Sequence, residues 1–287
     1  MNDNLKTAYG IPAYTETISW WNHYVSMVGL STVMLVRRKR LLLAALITFL
    51  PVVLPLIHAY LSTYAQPGGM FAELNRDIYL PSLSVILALF FASMLLGEDM
   101  ESQTMTYYLT RPLPRSIWVL GKFTAYLIVA GGLIMVSQMF CFFANILLPD
   151  FEINRQTLTL LLHFNAVAFL AIMGNGAVAM FLGVVTNRPI ILGAIILFGW
   201  QRLAKIIPGA IDFFTINKYI EMLSPQQLGA QQEITFQTIV GEIAKQTLYI
   251  SATTALPILF GIVALFIVAT IIIVRMRQFV ITKAIGS

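Results

Sequence analysis

The chain of 287 residues is 58% hydrophobic and only 11% charged, and its mean hydropathy is +0.80. Soluble domains carry about 25% charged residues, so this composition excludes an ordinary globular protein and predicts a membrane protein. The net charge of +5 does not indicate nucleic-acid binding, because the basic residues flank apolar runs instead of lining one polar face. The single cysteine, Cys141, excludes an intrachain disulfide and a cysteine-rich metal site.

Residues 1–40 are predicted to form a cytoplasmic N-terminus with an interfacial helix. Residues 1–17 lack the basic-then-apolar layout of a cleaved signal peptide. Between Ile18 and Val36, apolar residues recur at helical spacing, but polar residues interrupt the run. This pattern favours an amphipathic helix in the membrane interface, with Trp20 and Trp21 at headgroup depth. A membrane-spanning helix over residues 18–36 stays open as the alternative.

Residues 41–287 are predicted to form an all-α, polytopic permease domain with six membrane-spanning helices. At 1.5 Å per residue, roughly 20 apolar residues cross a bilayer. The third run is longer than that and should tilt, protrude or kink at Gly131-Gly132. The fifth run is short, and it reaches a spanning length only if Arg202 and Lys205 snorkel. The predicted spans are about 41–59, 81–96, 118–148, 157–185, 190–207 and 249–274.

Two longer loops and one helix-packing signal accompany these spans. Residues Tyr60–Leu80 are predicted to form a loop, and residues 208–248 form the longest one. In the longer loop, Ala210–Phe214 and Ile216–Leu223 are apolar enough to dip back towards the membrane. Small and polar residues recur every four positions along the fourth span, which predicts the close approach of another helix. These residues are Ala171, Asn175, Ala179 and Gly183.

The basic residues favour an orientation with both termini in the cytoplasm. With the N-terminus inside, 12 Lys and Arg residues fall on the cytoplasmic side and 6 on the outer side, and 12 plus 6 accounts for all 18. An excess of basic residues marks the cytoplasmic side of most membrane proteins. The inner set is Lys6, Arg37, Arg38, Lys39, Arg40, Arg111, Arg115, Lys122, Arg188, Arg275, Arg277 and Lys283, and the outer set is Arg76, Arg155, Arg202, Lys205, Lys218 and Lys245.

The stretch Gly97–Lys122 is the most polar internal segment between two long apolar runs. Three acids lie near its start, where they suit the positive end of a helix dipole. Pro112 and Pro114 then end any helix, because proline lacks an amide proton and restricts the preceding residue. The pattern predicts a cytoplasmic helix, Glu98–Leu109, that lies across the membrane surface and ends in a rigid turn. An ordinary solvated loop is the alternative.

No catalytic constellation is present in the sequence. The three histidines, His23, His58 and His163, lie on different segments without a metal-binding spacing, and we expect them to serve in helix packing. Gly121-Lys122 looks like the end of a phosphate-binding loop, but the residues around it break that motif. We therefore expect no ATP hydrolysis, no metal and no cofactor in this chain. The spans hold almost no ionisable groups, which argues against an ion-coupled carrier.

One stretch resembles a known family. Glu101-x-x-Thr104 is followed by Leu109-Thr110-Arg111-Pro112-Leu113-Pro114-Arg115 and then by Gly121-Lys122. This order resembles the loop after the second span of type-2 ATP-binding-cassette (ABC) exporter permeases, which loosely runs acid-x-Gly-Thr, Leu-x-x-Pro-x-x-Arg and Gly-Lys. Gln103 stands where that family usually has Gly, so the helix is expected to be more continuous here. The six-span layout, the interfacial helix and the large loop before the last span are also similar to that family.

The resemblance implies a transmembrane permease subunit, an exporter, that is driven by separate ATPase subunits. Two copies, or one copy with a related permease, would form the pathway in the cell (inner) membrane. ATP and Mg would be used by the partner ATPase, and this chain would not be an enzyme. The residues implied to couple to the ATPase are Glu98, Asp99, Glu101, Thr104, Arg111, Pro112 and Arg115.

Alternatives remain open for the arginines and for the whole chain. Arg111 and Arg115 pair with acids of a partner or with lipid phosphates, or they only anchor the topology by their charge. The chain itself is alternatively a membrane anchor or scaffold subunit that transports nothing, and an intramembrane enzyme has little support. The substrate is not defined by the sequence, because an apolar interior without charges suits lipids, hydrophobic peptides and drugs alike.

The predicted orientation places Gln231 outside the cell. We expect Gln231→Cys, in a chain whose native Cys141 is replaced by serine, to react with a membrane-impermeant maleimide added outside intact cells. Labelling of this cysteine only from the inside would overturn the predicted topology.

Overall fold

The computed structural model describes most of the helical core of the chain and leaves several connecting segments undescribed. The described residues are 20–36, 39–61, 69–93, 95–96, 114–148, 151–186, 188–206, 210–225, 234–238, 241–245 and 251–276. The predicted helix Glu98–Leu109 and the proposed external residue Gln231 lie outside them, so both stay predictions.

Eight main helices and one β-hairpin make up the described structure. The helices are α1 (Trp20–Val36), α2 (Lys39–Tyr60), α3 (Met70–Ala92), α4 (Arg115–Asn145), α5 (Arg155–Val185), α6 (Pro189–Ala204), α7 (Ile216–Leu223) and α8 (Ala252–Met276). A 3-10 helical turn, Ala210–Phe214, precedes α7. The strands β1 (Ile234–Thr238) and β2 (Gly241–Lys245) pair antiparallel, with Ile234 opposite Lys245.

Five of these helices, α2, α3, α4, α5 and α8, are long and apolar enough to cross a membrane. This is the architecture of a multi-pass membrane protein. Helix α6, in the place of the predicted fifth span, is apolar but shorter. A sixth span therefore stays a prediction. Helix α4 has 31 residues, more than a bilayer requires, and it contains a π-helical turn at Leu127–Gly131, beside the predicted kink.

Helix α3 differs from the sequence-based expectation. It begins at Met70, not at Pro81, so the second half of the predicted loop Tyr60–Leu80 is helical. Arg76 finds a partner inside the protein, because its guanidinium group donates to the Pro225 carbonyl at 2.9 Å. Pro81 is accommodated within the π-helical turn Asn75–Leu83.

Helix α5 is the centre of the bundle. In its apolar stretch 83% of the residues are buried, against 22% for α2 and for α8. The residues of the predicted small-residue ridge are all buried. A Cβ atom added to Gly183 would lie 2.1 Å from the Ser93 carbonyl oxygen, so only glycine allows this approach. The predicted close contact of another helix is thus confirmed, and the neighbour is the end of the second span.

Helix α1 packs along the first turns of α4. Its inward face consists of Met27, Ser31 and Leu35, and a Cβ atom on Gly121 would lie 2.9 Å from Met27 Cγ. The outward face carries exposed apolar side chains along most of the helix. Trp20 and Trp21 are exposed at its beginning. The position of α1 in the membrane interface stays a prediction.

The two apolar segments of the longest predicted loop pack against the bundle. Ile216, Tyr219 and Ile220 of α7 are buried. A Cβ atom on Gly174 of α5 would lie 3.0 Å from Ile216 and 3.2 Å from Leu259 of α8, so α7 and α8 both pack closely against α5 at this position. The loop that the sequence predicts to dip back thus covers one end of the bundle.

We expect Gly183→Ala to destabilise the folded protein by about 1–3 kcal/mol, because the added methyl group would push the backbone of Ser93 away. The unfolding temperature of the purified protein can be followed with a thiol-reactive dye, since Cys141 is buried until the bundle opens. Gly132→Ala is the matched control, because no atom lies within 4 Å of the added methyl group. Equal unfolding temperatures for the two variants would contradict the close contact.

Candidate functional site

The structure describes one of the residues that the sequence implies to be in a coupling site. Arg115 begins α4, whereas the others lie outside the described residues, so the structure does not test how they are arranged. These undescribed residues are Glu98, Asp99, Glu101, Thr104, Arg111 and Pro112. Arg115 lies where α4 begins, close to the end of α8. We call this region the joint end, and it consists of Arg115 and Lys122 with their partners Leu95, Val274 and Arg275.

Arg115 connects the beginning of α4 to the end of α8. Its Nη1 atom donates hydrogen bonds to the carbonyl oxygens of Val274, at 3.0 Å, and of Arg275, at 2.7 Å. The last four carbonyl groups of a helix have no partner within the helix. A cation at this position also suits the negative end of the helix dipole. Arg115 thus caps α8 within the same chain.

Lys122 makes a similar contact with the end of the second span. Its side chain is only 3% exposed, and its Nζ atom donates to the Leu95 carbonyl oxygen at 2.7 Å. The same ammonium group lies 5.0 Å from the centre of the Trp118 ring. A buried charge is costly unless polar or aromatic groups surround it, and here both kinds are present.

The Gly-Lys pair of the family-like stretch therefore has a packing role in this chain. Gly121 admits the side chain of Met27 from α1, and Lys122 holds the end of the second span. In the sequence this pair excludes a phosphate-binding loop and forms part of the family resemblance, and neither use predicts a packing role. The available signal was a lysine in the early turns of an apolar helix, where it must find a partner inside the protein.

A second feature is a row of uncharged polar side chains on α3, which we call the α3 row: Asn75, Tyr79 and Ser84. Helix α3 is the least apolar of the five long helices. At one position the Tyr79 hydroxyl hydrogen-bonds to the Ser137 hydroxyl of α4 at 2.9 Å. Ser137 in turn donates to the Thr48 carbonyl oxygen of α2 at 2.7 Å. This chain of contacts joins three helices through groups that are fully buried.

Amide side chains extend the row in both directions. Gln138 of α4 donates to Asn75 of α3 at 2.5 Å. Asn175 of α5 donates to Ser84 of α3 at 3.0 Å and accepts a longer contact of 3.4 Å from Gln201. Within the described part of the chain, the side-chain oxygens of Gln138 and Gln201 are buried without a hydrogen-bond partner. The interior of the bundle is thus polar but uncharged along α3.

The end of the bundle covered by α7 is held by charged and polar contacts. Lys218 and Asp212 form an ion pair at 3.2 Å, and both are buried. His163 contacts the Leu223 carbonyl oxygen at 3.0 Å, a packing role like the one expected for it. Burial raises the pKa of the Tyr219 phenol, so the phenol stays neutral and donates to the Phe213 carbonyl oxygen.

Metal chemistry has no support from these contacts. Among the residues that the structure describes, no three His, Cys, Asp or Glu side chains are grouped so that they could hold a metal ion. The joint end consists of cations bound to carbonyl groups, and the α3 row consists of neutral hydrogen bonds. Such contacts hold helices together, and they can break and re-form when helices move.

No protein-family model and no curated protein matches this sequence.

The contact between Asn75 and Gln138 should be measurable as a coupling energy. We expect Asn75→Leu and Gln138→Leu each to destabilise the protein, because each leaves a buried amide group without its partner. The double variant should be more stable than the sum of the two changes predicts, by about 0.5–2 kcal/mol. Unfolding in mixed detergent, followed by circular dichroism, measures these free energies.

Asn165→Leu is the control for this cycle, because the Asn165 amide bonds only to the Leu161 carbonyl of its own helix among the described contacts. Combined with Gln138→Leu it should be additive. Additivity in the Asn75 and Gln138 cycle would show that the buried contact contributes nothing.

Proposed function

We propose that the chain is the transmembrane permease subunit of an ABC transporter, and that it works as an exporter. Two copies, or this chain and a related permease, form the pathway in the cell (inner) membrane, with both termini in the cytoplasm. Separate ATPase subunits bind ATP and Mg and dock on the stretch Gly97–Lys122. This chain itself performs no covalent chemistry.

The observation that carries this proposal is the polar row of α3, which leads directly into that stretch. A helix needed only as an anchor could bury apolar side chains, whereas α3 places Asn75, Tyr79 and Ser84 inside the bundle. Buried polar groups in a membrane protein often line a path. The row carries no charge, which disfavours ion coupling through it and supports a driver outside the chain.

The family-like stretch supports the same proposal. It connects α3 to α4 at the joint end, so a protein docked there would act on both helices. A helix tied to two spans by short connections can act as a lever when its partner closes. In this proposal α6 and the residues after it complete a sixth span, with Arg202 near one membrane surface. Arg202 is exposed, as snorkelling requires.

A membrane anchor or scaffold subunit is the second candidate. The close packing around α5 favours it, because a bundle whose centre is 83% buried is also suited to a static role. The two candidates differ in what the chain must bind. We expect an ATPase to co-purify with the full-length chain in a fixed ratio and to lose activity when separated from it. Purification of the chain from its native membrane without any ATPase would contradict the permease proposal.

The charge at Glu101 gives a sharper test. If the acidic end of the stretch docks on the ATPase, Glu101→Lys should reduce co-purification by roughly ten- to hundredfold, since a partly desolvated charge pair contributes about 1–3 kcal/mol. The amount of protein in the membrane should not change. Glu152→Lys is the matched control, because Glu152 is an exposed acid in the connection between α4 and α5. Undiminished association of the Glu101 variant would show that this stretch is not the docking site.

A further inference from the structure

The joint end brings together parts of the chain that are far apart in sequence. Arg115 is bonded to carbonyl groups 159 and 160 residues further along, and Lys122 to one 27 residues before it. The two basic residues and Trp118 between them are spaced by three and four positions. They therefore share one face of α4. That single face receives the ends of two different helices.

The Arg115 contacts supply what a helix end lacks. The carbonyl groups of Val274 and Arg275 belong to the last turn of α8, which ends at Met276. The Leu95 carbonyl lies three residues beyond the end of α3, in the short described helical piece 95–96. Carbonyl groups at a helix end need partners from other parts of the protein or from solvent. A side chain with several donors and a positive charge serves best.

The end of the second span is also held from its other side. The backbone of Ser93 lies against Gly183 of α5 so closely that a side chain at position 183 would not fit. Lys122 thus fixes to α4 a segment that is already seated on the central helix. Helix α1 also packs at this place, because its Met27 side chain lies against Gly121 of α4.

We propose that Arg115 and Lys122 are positioning residues that join the ends of α3 and α8 to the start of α4, so that a displacement of residues 97–113 moves all three helices together. The inference rests on the proposed function, because it names the contacts through which an ATPase on that stretch would reach α8. These hydrogen bonds add a directional link to the packing of α8 against α4.

The first test measures the contacts themselves and does not depend on any partner. In the purified full-length protein, hydrogen exchange of the last turn of α8 should become about tenfold faster in Arg115→Gln, because the cap and its charge are lost. Arg115→Lys should retain most of the protection. Hydrogen exchange of residues 93–96 should likewise become faster in Lys122→Met. Lys122→Arg keeps the positive charge and should retain most of the protection. Arg188→Gln removes an exposed positive charge elsewhere and should change neither region.

The second test measures transmission in the complex with the co-purified ATPase. Lys122→Met and Arg115→Gln should leave the amount of bound ATPase unchanged, unlike Glu101→Lys, and should lower the ATP hydrolysis of the assembled complex by about tenfold. Lys122→Arg and Arg115→Lys should restore most of it. A variant that only loosens the fold would instead lower the yield and the bound ATPase together.

The two tests separate the possible failures. Unchanged exchange in Arg115→Gln and Lys122→Met would overturn the positioning role, whatever binds the chain. Faster exchange with full ATP hydrolysis in the complex would show that the contacts exist and transmit nothing, which also overturns it. If no ATPase associates with the chain, the proposed function fails, and hydrogen exchange still decides whether the contacts hold the helix ends. Should Lys122→Met not fold, Arg115→Gln provides the same measurement from a partly exposed residue.

Discussion

The structure depends on one constraint: a polar group placed inside a membrane must find its partner within the protein. The helices satisfy most of their backbone groups by themselves, but their side chains and ends do not. In this protein several of those remaining groups are paired between helices. Asn175 bonds to Ser84, Ser137 bonds to the backbone of α2, and Lys122 bonds to the end of the second span. Hydrogen bonds of this kind fix the position of one helix along another, which apolar packing specifies less strictly.

The central position of α5 follows from small residues as much as from apolar ones. Gly176 lies against the ring of Tyr126, whose hydroxyl donates to the Ile172 carbonyl oxygen at 3.0 Å. Gly183 lies against the backbone of Ser93. Two neighbours thus approach the same helix at positions where a side chain would keep them away. The close contact brings Asn175 within reach of its partner on α3, so the packing and the polar contacts support each other.

Much of the helical architecture could be predicted from the sequence, because long apolar runs and four-residue spacing are local signals. The ridge that contains Gly183 is the clearest case. The start of α3 could not be predicted, since Arg76 and its neighbours look like a loop until the distant carbonyl group of Pro225 is known. The role of Arg115 was hidden for the same reason. A basic residue after Pro-x-Pro looks like a topology signal, and its partners lie at the other end of the chain.

The span of the Arg115 contact has a consequence for how the protein is made. Its two sides are separated by up to 160 residues. Ribosomes add about 5–20 residues per second, so roughly 10–30 s pass between the synthesis of Arg115 and that of its acceptors. During that interval the early helices are already in the membrane, and the guanidinium group has only water or lipid headgroups as partners. Helix α8 therefore joins helices that were synthesised before it, and until then Arg115 lacks its partners on α8.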